Sequence, residues 1–383
     1  MLWQRYVAKL GAPSSAAAGL LLLEIIHEDY RYFHPKRWSV HQHADSNVEL
    51  VNKLLDADDA RFYTLTRMTK GCFHYVLGRI ETHIVFQGAE MGPRRRIGVQ
   101  MQLFVFCYSL GRCLDTLASS VIANLSHGTA HAIMGRVSKA IIMTLEAEEV
   151  QWPNVAERQV IKAAFAEKGL PNAVGCIDGT QIRLHQKPQY QLAPIRDRKG
   201  HWSIKAIVVC DHERKVTAAY VGFNGNAHDS SCFKTTPIGK YPQLHFSSDE
   251  YLLGDAGFMQ TPTMLTPVTF RNVPVFSRDD SVFNQNLSSA RSVVENVFGI
   301  IKSRWGAIDP LKVRGYDQQI GYVKCAIILH NICLRFNNDP LARARTPPPP
   351  PLELDIAEPG PTSQISMDFN ERRARIVETM LDL

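Results

Sequence analysis

The chain predicts a mixed α/β layer preceded by an all-helical region, and three observations carry that prediction. Apolar residues recur at three- and four-residue steps between Arg61 and Ile141. Runs rich in Val, Ile, Thr and Tyr replace that period from Ala173 onward, and two long helical patterns follow the strands. Strands first, then helices laid over them, is the order of a mixed α/β layer. At 383 residues, 45% apolar and 21% charged, the chain has length for two or three domains and material for a core in each, which excludes wholesale disorder.

Four segments are expected: an N-terminal piece over 1–60, a helical domain over 61–150, the α/β domain over 151–338 and a Pro-rich flexible tail over 339–383. In the first, the apolar run Ala16 to Leu23 is eight residues long. A membrane span needs about 20, so no membrane contact is expected. The run follows Arg5 and Lys9 but leads into Glu24, His27, Glu28 and Asp29 without a small-residue cleavage site, so it reads as a buried helix segment rather than a signal peptide. The aromatic, His-rich stretch His27 to His43 has no ligand spacing and reads as packing.

The helical region places Met68, Cys72, Tyr75, Val76 and Ile80 on one face, breaks at Gly92-Pro93, and resumes from Met101 to Leu110. Two short helical patterns then flank Asn124-Leu125-Ser126, with Ser126 the expected N-cap of a helix over 128–140. A helix-turn-helix entering a DNA groove and a purely structural bundle both fit this pattern. Residues 61–100 carry a local excess of five positive charges, including Arg94-Arg95-Arg96, which suits phosphate contact or a solvated face.

Strands are expected at 173–184, 203–211, 215–223, 251–255 and 273–277, and helices at 286–305 and 318–336. Three carboxylates stand out among them. Asp178 lies in Gly175-Cys176-Ile177-Asp178-Gly179 and Asp255 in Leu252-Leu253-Gly254-Asp255-Ala256, each an apolar strand, then Asp, then a small residue. A carboxylate there is costly unless paired or bound to a cation, although Asp-Gly alone is usually a turn. Glu295 lies within a helix. At 100° per residue it shares a polar strip with Ser288, Arg291, Gly299 and Lys302, opposite Val293, Val297 and Ile300. Two strand carboxylates and one helix carboxylate are what a two-metal phosphoryl-transfer site requires, since Mg²⁺ prefers hard oxygen ligands. P-loop, GxGxxG, HExxH and GxSxG patterns are absent from the sequence. After the third strand, His228 and Asp229 either cap a helix starting near Ser230, the expected role of Asp229, or support a metal site from behind its ligands. The eight cysteines form no CxxC pair, which excludes zinc-finger and disulfide frameworks and suits a reducing compartment.

The runs GCIDGTQIRL (175–184), GFNGNAHDSSCF (222–233), LLGDAGF (252–258), ARSVVENVFGIIKSRW (290–305) and ILHNIC (328–333) resemble, in order and context across about 160 residues, the nuclease domain of PIF/Harbinger-type DDE transposases and harbinger-derived nucleases. The resemblance implies an RNase H-like mixed sheet with flanking helices, with Asp178, Asp255 and Glu295 as a catalytic, metal-holding triad spaced by 77 and 40 residues. It also implies that His228 and Asp229 match the family's HD pair. The upstream helices resemble the family's DNA-binding helices more loosely, and Asn124 stands where the family usually has Gly.

The function expected on these grounds is a divalent-metal-dependent DNA endonuclease and transposase. It would use Mg²⁺ or Mn²⁺, two ions, to cut double-stranded DNA at transposon ends and to direct the freed 3′-hydroxyl at target DNA. Arg94, Arg95, Arg96, Ser126, Arg291 and Lys302 are the expected DNA contacts. The rival is a domesticated, non-catalytic DNA-binding or assembly protein on the same fold. A separate Myb-like partner, nuclear location (cytoplasmic without that partner) and compatibility with a homo-oligomer follow from the resemblance. The formal charge of +6 sharpens the picture. The segment from Pro340 contributes −2, whereas 181–215 contributes +5 and 287–335 contributes +4, so positive charge gathers around the acidic cluster.

Overall fold

The computed structural model describes residues 56, 58–87, 97–114, 116–123, 125–188, 196–197, 199–269, 277–336 and 374–376. The 16–23 helix segment, the 27–43 stretch, Arg94-Arg95-Arg96, Asn124 and most of the expected strand at 273–277 lie outside them, as does the Pro-rich part of the tail. Of the two compact units, Met1–Ala44 lies outside the described residues, and Asp45–Leu383 is the one described below.

The unit begins with helices. In α1 (Asp59–Thr66) the Asp58 side chain accepts the Arg61 N–H, and in α2 (Lys70–Ile80) the Thr69 hydroxyl accepts the Cys72 N–H. α3 (Val99–Gly111) is buried along most of its length, as its lack of a polar face requires. After α4 (Thr116–Ile122) comes α5 (His127–Glu149), where the Ser126 hydroxyl accepts the Thr129 N–H at 3.1 Å. The expected N-cap is therefore in place, and the helix continues nine residues past the expected end because Ile141 and Leu145 keep its buried stripe running. α6 (Val155–Ala166) opens with a capping box between Asn154 and Glu157.

Five strands then form one sheet in the order β3-β2-β1-β4-β5: β1 (Ala173–Arg183), β2 (Ser203–Cys210), β3 (Val216–Asn224), β4 (Tyr251–Leu253) and β5 (Met264–Leu265). β1, β2 and β3 pair antiparallel, whereas β4 joins β1, and β5 joins β4, in parallel. β2 is buried at all eight positions, as a central strand covered on both faces must be. Along it Ile204, Ala206, Val208 and Cys210 enter the main core with the helices. Ile207 and Val209 enter a smaller core with Val174, Ile177 and Leu252. That smaller core is closed by Cys232 of α7 (Asp229–Thr235) and Ile238 of α8 (Pro237–Lys240).

α9 (Arg278–Arg304) crosses β1, β2 and β4, and α10 (Tyr316–Arg335) packs on β3 and on α5. α9 starts eight residues before the expected 286, because Ser277 and Asp280 form a capping box ahead of the apolar stripe. The main core runs without a break from Phe62 and Phe73 of the early helices to Val208 and Ile328. It takes in Ile376, 3% exposed, so the C-terminal segment contributes a buried side chain here. Among the described residues no helix is long and apolar enough to cross a membrane.

Candidate active site

Parallel pairing of β1 and β4 decides where the two strand carboxylates meet. Cys176 stands opposite Leu253, and both side chains lie in the main core. Asp178 follows two residues later within β1 and Asp255 two residues later just past β4, and both carboxyls feel the charge of Arg291 on α9. Asp178 accepts the Gly179 N–H at 2.7 Å and Asp255 the Gly257 N–H at 3.0 Å.

Arg291 of α9 is 9% exposed and brings its guanidinium to 3.4 Å from the Asp178 carboxylate. Burial pushes the Asp178 carboxyl up to about 7; the Arg291 charge opposes that rise, and the charges of Asp255 and Asp229 add to it. The Asp255 carboxyl is also raised, by burial first and then by Asp229, again against Arg291. Two carboxyls raised by burial and by neighbouring acids, beside a single shared guanidinium, suit a cation.

Asp229 is the third acid, and its role differs from the expected cap. It is the first residue of α7, His228 holds the cap position, and the Asp229 carboxylate instead pairs with Lys205 at 2.7 Å. Lys205, 7% exposed, also donates to the Ala227 carbonyl. It lies on the β2 face that carries Ile207, opposite the face of Asp178. Asp229 lies against Gly179 on that face, its charge felt by the carboxylates on the other, and it fits there because Gly179 has no Cβ: one added would collide with the Asp229 carboxylate. The common Asp-Gly turn reading of Asp178-Gly179 is replaced by a strand glycine that admits a neighbouring acid. A lone Lys inside Ser203 to Cys210 was the sequence signal for this pairing, since a cation in a fully buried strand needs an anion.

Glu295 stands one turn beyond Arg291 on α9 and is exposed. Among the described residues no three His, Cys, Asp or Glu side chains converge closely enough to hold a metal ion unaided. Asp178 and Asp255 fit the protein's share of a Mg²⁺ site, which takes one or two carboxylates and leaves other positions to water and phosphate. Lys302 donates to the Gln181 carbonyl at 2.6 Å and pairs with Asp309 at 3.2 Å. At the other expected contact, Ser126 caps α5, where His127 and Gly128 are exposed.

The ILHNIC run is structural in its polar residues. The Asn331 amide donates to the Val216 and Glu149 carbonyls and accepts the Val216 N–H, tying α10 to β3 and to the end of α5. His330 is buried against the Arg214 carbonyl at 3.0 Å, and burial drives its pKa down to about 3, so it is neutral.

Residues 177–331 match the family described as DDE superfamily endonuclease. The chain is 22% identical over 259 residues to "Putative nuclease HARBI1" of Homo sapiens, covering 66% of this chain and 70% of that protein, and the Bos taurus counterpart gives the same values. It is 21% identical over 309 residues to "Protein ALP1-like" of Arabidopsis thaliana, covering 74% of this chain and 73% of that protein. No solved structure matches it. The matched span opens at the strand of Asp178, closes on Asn331 and includes Asp255, Arg291 and Glu295. Residues 177–331 are thus a DDE superfamily endonuclease domain, and the chain is similar to the nuclease HARBI1 and ALP1-like proteins.

Proposed function

We propose that the protein is a divalent-metal-dependent DNA endonuclease of the transposase kind, with Asp178 and Asp255 as the carboxylates that hold the ion. The observation carrying this reading is the parallel register that levels the two acids on neighbouring strands, each with its carboxyl pKa raised by burial. Bound there, Mg²⁺ or Mn²⁺ would activate the attacking oxygen and stabilise the leaving one. Arg291 holds the Asp178 carboxylate beside α9, and Lys205 neutralises Asp229 on the other face of β1. Glu295, one turn beyond Arg291 on α9, is the residue that would complete the ion's shell. Cleavage of terminal-repeat duplex DNA with Mn²⁺ by wild type and by Asp178→Ala is the test: loss of at least a hundredfold in the variant is expected, and equal cleavage overturns the reading.

A second reading, a domesticated DNA-binding protein, is favoured by one observation. Arg291 and Lys205 already offset two of the three acids, which leaves a weaker demand for cations than three bare carboxylates would. Titration with Mn²⁺ followed by its electron paramagnetic resonance separates the two, since the binder takes up no ion that Asp255→Asn abolishes.

A further inference from the structure

We propose that a basic cleft at the far end of β1 is a separate binding surface for duplex DNA phosphates, holding the flank of the duplex that is cut at Asp178 and Asp255. This rests on the reading of the chain as acting on DNA, and it assigns residues that the acid site does not use. Leu184, just past β1, bridges Leu311 in parallel, and the His185 N–H donates to the Leu311 carbonyl at 2.8 Å. Two segments about 125 residues apart in sequence thereby line one cleft with His185, Lys187, Lys312 and Arg314, all four exposed.

The neighbouring acids are committed elsewhere. Asp309 takes Arg183 at 2.7 Å and Lys302 at 3.2 Å, and Asp197 takes His201 at 3.4 Å and the Lys199 N–H at 2.9 Å. Trp202 organises the cations beside the cleft: Lys187 Nζ lies 5.5 Å and the Arg196 guanidinium 4.9 Å from its ring centre. Arg196 in turn bridges Trp202 across a closed turn, in which the Asp197 N–H donates to the His201 carbonyl at 2.8 Å. A half-buried ring that packs on the main core therefore fixes two long, flexible cations before any ligand arrives, which lowers the ordering cost of binding.

The spacing suits a duplex. Leu184 lies six residue steps beyond Asp178, roughly 20 Å at about 3.3 Å per residue. That length spans about six base pairs at 3.4 Å each. Fixed cations match a backbone of regularly spaced phosphates, read by charge and position rather than by sequence.

The test uses the full chain in EDTA, where the acid site contributes no metal-mediated contact, and fluorescence anisotropy with a 30-base-pair duplex of arbitrary sequence from 50 to 200 mM salt. Each lost phosphate contact lowers the slope of log affinity against log salt by about 0.9. Lys187→Gln/Arg196→Gln/Arg314→Gln together are expected to flatten the slope by about 2 to 3 and to weaken binding at least tenfold at 100 mM, with an unchanged melting temperature. Lys168→Gln/Lys234→Gln/Lys240→Gln, which removes three exposed cations from other faces, is expected to leave the slope in place. An unchanged slope in the first triple variant, an equal loss in the second, or equally tight binding of a 30-base-pair RNA duplex overturns the proposal. Because no cleavage is measured, failure of the nuclease reading shows up separately, as equal cutting by wild type and Asp178→Ala.

Discussion

β4 carries a carboxylate at each end, Glu250 buried and Asp255 partly buried, and the two ends are built in opposite ways. Glu250, just before the strand, is 1% exposed and meets two cations, Arg158 at 2.8 Å and Lys162 at 3.2 Å. Burial would raise its carboxyl, but the Ser247 N–H and the charges of Lys162 and Arg158 prevail and hold it below the usual range. Asp255, just after the strand, shares Arg291 with Asp178 and lies near Asp229, and its carboxyl is raised. Burial alone therefore does not mark a site. Charge matching does: the Glu250 end is a finished ion-pair network joining α6 to the sheet, and the Asp255 end keeps a demand for positive charge that a metal ion would meet.

The contrast breaks most visibly at Glu250. Glu250→Ala leaves Arg158 and Lys162 without their anion. Removing one partner of a buried pair costs about 3 to 5 kcal/mol, so urea unfolding should show a loss of that size. A loss below about 1 kcal/mol would mean that the two ends are alike.

At the other end the same kind of change should help. The folded carboxyl of Asp178 titrates near 7, above its unfolded value of about 3.9, so in that window the native state holds a proton that the unfolded chain has released. The metal-free protein should therefore lose stability as pH rises from about 4 to 7 and then level off. Asp178→Asn should flatten that slope, leaving the part Asp255 contributes, and stabilise the metal-free protein at pH 8 by up to about 4 kcal/mol, with little effect at pH 4. Parallel pH profiles of melting for wild type and variant would contradict the assignment. Added Mn²⁺ should reverse the ranking, stabilising wild type at pH 8 and leaving Asp178→Asn unmoved.

A smaller effect sharpens the geometry. Gly179→Ala sets a methyl group against the Asp229 carboxylate, and overpacking of this kind costs about 1 to 3 kcal/mol. Asp229→Ala in the same background should recover part of that loss by vacating the space. Thermal melts of the double-mutant cycle measure the coupling, and strictly additive effects would show that the two residues do not meet.

Much of this site is written locally. The apolar-strand, Asp, small-residue pattern picks out Asp178 and Asp255, and the polar strip of α9 picks out Glu295 and Arg291, because period and context are properties of a few consecutive residues. Asp229 is the instructive miss. By local rules an acid at a helix start caps the helix, and only the approach of α7 to β1 and β2 reveals Lys205 as its partner. Arg291 and Glu295 share one strip by helical angle, yet one is buried against Asp178 and the other exposed, since the angle between neighbours on a helix says nothing of what packs over each. No local signal marks Glu250, because Arg158 and Lys162 lie 92 and 88 residues before it.

By itself, then, the sequence determined the helical start, the strand-rich middle, the closing helices and the identity of the acids, since propensity, capping and periodicity act over short range. The tertiary structure alone decided which acids face one another, which are already neutralised, and that His185 and Lys187 share a cleft with Lys312 and Arg314. Those outcomes depend on the parallel register of β1 with β4 and on the bridge from Leu184 to Leu311. Both are contacts between segments far apart in the chain, whose energies are settled only when the whole core closes.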